Sequence, residues 1–144
     1  MGMLTISNAQ LKRFDEIRRE QFLDRLAEVL REDFPDETSA LTPDDLDIVV
    51  AIIAHQAEGF DITSEDSIFV YTVMAICFGM NFHEHPAIED ALLSGDPPAD
   101  EAILQVPSLL NAEDIRDLLS NAQWPDRFLR EIRADSDNLS APEA

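Results

Sequence analysis

Apolar residues recur three and four positions apart along most of the chain, the period of helices with one buried face, and no segment alternates convincingly at period two. Ser7 with Gln10 forms a capping-box pattern that starts a first helix, running to Asp33. At 100° per residue, Leu11, Phe22, Leu26 and Val29 fall within an arc of about 60°, with Leu30 close by and Phe14 extending the stripe. Asp15 and Arg18 fall in or near the same arc. They either pair with each other across one turn, or the first two turns pack loosely and stay wet. Phe34-Pro35-Asp36 stops the helix, because proline disfavours helix in the residue before it.

Thr42-Pro43-Asp44-Asp45 opens a second helix, with Thr42 as N-cap, Pro43 in the first turn and two acids at the positive end of the helix dipole. Its apolar run from Ile48 to Ala54 resembles a buried strand, but the capped segment reaching Gly59 is far longer than the usual strand of about five or six residues. Gly59 reads as the C-cap glycine. A third helix repeats the design from Thr63-Ser64-Glu65-Asp66 to Gly79. Its stretch from Ile68 to Phe78 is apolar almost all round, the mark of a helix buried on every side. Together these two predict a central αα-hairpin.

After Pro86 the elements shorten. Ala87 to Ser94 predicts a short helix ended by Gly95, and Asp96-Pro97-Pro98 breaks the chain. Asp100 to Gln105 gives one or two turns, ended before Pro107. Asn111 and Asp114 cap a helix with Ile115, Leu118, Leu119 and Ala122 on one face. Pro125 starts the last helix, with Phe128, Leu129 and Ile132 facing inward. Thr5-Ile6 could add only a short extended lead, and from Asp135 the periodicity is lost. The expected fold is all-α: a compact helical bundle in one domain over residues 3–134, with a disordered acidic tail over residues 135–144.

The 144 residues and 45% hydrophobic content fit one core-forming domain. The formal net charge is −20, and its distribution says more than its size. All ten Lys and Arg lie at or before Arg31 or at or after Arg116. Nineteen Asp and Glu lie between Glu32 and Asp114, so that block carries −19. Close like charges cost folding energy, and two explanations fit: solubility in an acidic proteome, or docking of a basic protein. Asp44, Asp45, Asp47, Glu58, Asp61, Glu65 and Asp66 are the expected docking residues. Trp124, the sole tryptophan, either covers one end of the core or marks a binding hot spot. Direct binding of nucleic acid or an anionic membrane is disfavoured, since both demand a basic patch. No signal segment is visible and no apolar run approaches the ~20 residues of a membrane span, so a cytoplasmic location is expected.

Candidate chemistry is sparse. His83-Glu84-His85 is the one potential metal site, but histidines two apart point to different sides of a helix. The competing reading is a polar loop whose side chain caps the next helix. Cys77 lies in a helix expected to be buried, which makes its thiol inert. Paired acids such as Asp44/Asp45 and Glu65/Asp66 are explained as helix starts. No nucleophile elbow or glycine-rich phosphate loop is present, so neither catalysis nor a cofactor is expected.

Two stretches resemble a family of small proteins encoded in bacterial type VI secretion clusters, beside spike and effector genes. The first is the helix from Phe22 to Pro35, closing on Phe34-Pro35. The second runs from Gly59-Phe60-Asp61-Ile62-Thr63-Ser64-Glu65-Asp66 through Tyr71 and Met74 to Phe78-Gly79-Met80-Asn81-Phe82, with Pro86 after it. The resemblance covers residues 3–95 and brings no catalytic residues with it. It implies an accessory role toward a toxic effector: neutralising it as an immunity protein, or loading it as a chaperone. A generic helical interaction module is the alternative.

Overall fold

The computed structural model describes the backbone of residues 7–140 and the side chains of residues 7–135. The expected lead at Thr5-Ile6 and residues 141–144 of the expected tail lie outside that range. Every regular element among the described residues is helical. α1 spans Asn8–Asp33, α2 Pro35–Thr38, α3 Pro43–Gly59 and α4 Glu65–Phe78. A short 3-10 helix follows at Phe82–Glu84, then α5 at Pro86–Leu93, α6 at Ala99–Leu109, α7 at Ala112–Ser120 and α8 at Pro125–Ser140.

The capping box of α1 forms as expected, with the Gln10 N–H donating to Ser7 Oγ at 3.2 Å and the Ser7 N–H to Gln10 Oε1 at 2.8 Å. The stripe read as continuous along this helix splits in two. Leu26, Ala27 and Leu30 are buried, while Leu11 and Phe14 are 48% and 58% exposed. Leu11 lies in the same direction as Phe22, which packs on the core, so the stripe is covered along the second half of the helix and left open over its first turns. The first turns are therefore wet. Asp15 makes no ion pair with Arg18, whose guanidinium instead lies 6.0 Å from the Phe14 ring centroid.

Thr42 caps α3, accepting the Asp45 N–H at 3.1 Å. The helix ends one step later than Gly59 suggested. The Ile62 N–H donates to Ala57 O at 3.1 Å and the Asp61 N–H to Glu58 O at 2.9 Å, the two bonds of a Schellman closure. The left-handed residue of that closure is Asp61, at φ 63°, a position an aspartate tolerates better than most residues. Ile62 then folds back fully buried.

α4 is the hub. It packs against α1, α2, α3, α6, α7 and the 3-10 helix, and it buries Ile68, Tyr71, Met74, Ala75 and Ile76. Buried residues of α3 face it, which makes the central hairpin. α6 does not stop before Pro107. It passes through to Leu109, with Ile103 and Val106 buried on the turn that leads into the proline. α7 and α8 contribute less than their patterns suggested, because Leu118 and Leu129 are buried while Leu119 and Ile132 are 47% and 38% exposed. α8 also continues through Ser140, past the expected loss of helix at Asp135. No helix among the described residues is long and apolar enough to cross a membrane.

Candidate binding surface

Gly79 sets the position of Trp124. It ends α4 at φ 105°, and a Cβ there would lie 2.8 Å from the Gln123 backbone nitrogen and 2.9 Å from Ala122 Cα. Only glycine permits that approach at that backbone angle. Three hydrogen bonds fix the junction. The Met80 N–H donates to Gln123 O at 2.7 Å, the Gln123 N–H to Asn81 Oδ1 at 2.8 Å, and Asn81 Nδ2 to Asn121 O at 2.9 Å. The end of α4 thus holds the α7–α8 connection, and Trp124 is the next residue.

Trp124 is 36% exposed and lines a groove of about 480 Å³. Leu41, Ile76 and Pro125 form its apolar lining, and Asp36, Glu37 and Asp126 bring the charge. A second depression, sharing Ala40, Leu41 and Asp126, leads on to Asp45, Arg130 and Arg133. There the charges cancel: Arg133 Nη2 donates to Asp45 Oδ1 at 2.6 Å, and Arg130 Nη2 to Asp126 Oδ2 at 3.3 Å. The bond from Arg133 holds the Asp45 carboxyl below the usual carboxylate range. Cys77 is a correction to the expectation of full burial. It is half-buried on the groove wall, and burial together with the charge of Glu37 pushes its thiol pKa up.

The expected docking acids do not form one continuous face. Asp44, Asp45 and Asp47 sit in the first turns of α3, whereas Glu58 lies near its other end, about 20 Å along the axis at 1.5 Å per residue. Asp61, Glu65 and Asp66 follow Glu58 in the turn and the first turn of α4. Two of the set are engaged within the chain: Asp45 with Arg133 of α8, and Glu58 with Arg19 of α1. Asp44, Asp47, Asp61, Glu65 and Asp66 are exposed. Trp124 belongs to the Asp45 end.

The two loop histidines have separate tasks. His85 caps α5, its Nδ1 accepting the Ala87 N–H at 3.3 Å, as the competing reading expected; its Nε2 lies 3.8 Å from Asp114. His83 packs edge-on against Phe60 at 5.5 Å and stacks on Tyr71 at 6.5 Å, and burial pushes its pKa down. Among the described residues, no group of three or more His, Cys, Asp or Glu side chains is placed to hold a metal ion.

Several residues with a role here escaped the sequence pattern. Asp36 and Glu37 follow the Phe34-Pro35 stop and are ordinary first-turn acids of α2, so nothing local points to the groove they rim. Asp100 reads as a helix-start acid of α6, yet its Oδ1 accepts the N–H groups of Thr63 at 2.9 Å and Ser64 at 3.0 Å. It thereby ties the start of α4 to α6 across 36 positions. No family model, curated protein or solved structure matches the chain.

Proposed function

We propose that this chain is an acidic binding module for a cationic protein, and that it acts in the bacterial cytoplasm as an immunity protein neutralising a type VI secretion effector toxin. One observation carries the first step. Of the nineteen acids between Glu32 and Asp114, only Asp45 and Glu58 are paired with the chain's own arginines among the described residues. Asp100 and Asp114 hold backbone N–H groups, and most of the other carboxylates are left unneutralised. Their charge raises the encounter rate with a basic surface and repels acidic ones. The second step rests on the resemblance of residues 3–95 to proteins of effector clusters.

Co-expression with the product of the neighbouring gene tests the reading. Relief of that product's toxicity, with a stoichiometric complex on purification, is the expected result. A rise in effector yield without relief would assign a loading chaperone instead. No complex with any cluster product would remove the secretion reading.

A further inference from the structure

Resting on the reading of a cationic partner, we infer that the Trp124 groove receives a segment of that partner in which one bulky aliphatic side chain is flanked by arginine or lysine. The lining selects the anchor. Leu41 and the 36%-exposed Trp124 give apolar surface to the groove of about 480 Å³, and tryptophan is among the residues enriched where binding energy concentrates. The rim selects the flanks. Asp36 and Glu37 stand outside every ion pair among the described residues, so the groove carries negative charge where they line it. In the adjoining depression Arg130 and Arg133 pair with Asp126 and Asp45. Of the three carboxylates lining the groove, Asp126 is paired with Arg130 while Asp36 and Glu37 are not, so a cation beside the anchor settles on those two. A guanidinium there can also lie over the Trp124 ring.

Trp124 is the only tryptophan, so its emission reports on this groove alone. The probe is a capped nonapeptide with a central leucine between arginines. Its two controls replace the leucine by serine, or the arginines by glutamates. Calorimetry on the full chain runs alongside the emission titration. The expected result is saturable binding seen by both methods, at least about threefold weaker when salt rises from roughly 50 to 300 mM. Asp36→Asn with Glu37→Gln should weaken it about fivefold or more with the urea midpoint unchanged. Equal binding of the serine peptide would overturn the apolar anchor, and equal binding of the glutamate peptide the acidic rim. Heat without any change in Trp124 emission would overturn the groove while leaving the cationic partner standing. Absence of both signals would overturn the groove; relief of effector toxicity in the co-expression experiment would then decide the wider reading on its own.

Discussion

Gly79 and Ala122 approach so closely that a methyl group on Gly79 would stand 2.9 Å from the Ala122 Cα. The end of the buried hub helix is thereby pressed against the connection that presents Trp124. Core and groove are mechanically one piece at this point.

Gly79→Ala should therefore lower stability by about 2 kcal/mol or more, from left-handed strain and the clash together. It should also move the Trp124 emission maximum in the folded protein, because the Ala122–Gln123 backbone must give way. Urea denaturation and the emission spectrum check this. An unchanged midpoint with an unchanged spectrum would mean that the junction is loose.

The two halves of α1 should respond differently to truncation. Leu30→Ala empties a fully buried position and should cost about 2–5 kcal/mol. Phe14→Ala, although it removes a larger side chain, should stay within about 0.5 kcal/mol, since that ring is already more than half exposed. Equal losses would show that the first turns of α1 pack on the body.

Asp100 should give the stability a defined acid limb. Its carboxyl is held below the usual carboxylate value of 3.8, chiefly by the bond from the Ser64 backbone, so the folded state loses its proton more readily than the unfolded one. That contribution is fully present above the unfolded value and disappears as pH falls through the lower folded value. Asp100→Asn keeps an acceptor oxygen but removes the charge, and should cost about 1 kcal/mol at pH 7, as loss of charge assistance to hydrogen bonds does. Wild-type and variant urea midpoints should then converge as pH drops below ~4. A constant gap down to pH 2.5 would contradict the assignment.

Charge reversal should separate docking from folding only if the correct acids are chosen. Asp45 is bonded to Arg133, so reversing it breaks an internal contact and confounds the result. Asp44→Lys with Asp47→Lys alters exposed positions of the same turn. This pair should slow association with a cationic partner at low salt, at a stability cost of about 1 kcal/mol or less from placing a cation in the first turn of α3. A normal association rate would move the docking site away from the start of α3.

Helices and caps were legible because their causes are local. Ser7-Gln10, Thr42 and Asn111-Asp114 each satisfy backbone donors within one turn, and α4 is apolar on all sides because it lies in the middle. The misreadings share one cause, which is tertiary packing overriding a local signal. Burial of Val106 carries α6 through Pro107, and burial of Ile62 draws the chain past Gly59 to a left-handed Asp61. The groove was half legible. Trp124 stood out as a single aromatic beside a proline, but its neighbours Asp36, Leu41 and Ile76 come from distant segments joined only by the fold. Charge segregation was visible as a count, whereas the pairing of Arg19 with Glu58 and Arg133 with Asp45 required coordinates.

The most direct measurement is the association rate of the purified chain with the product of the neighbouring gene, the cationic partner proposed above, followed across ionic strength. If docking relies on the unpaired carboxylates, the rate falls steeply between roughly 0.05 and 0.5 M salt, while dissociation changes little. A rate that stays flat over that range would mean that the acidic block serves solubility alone.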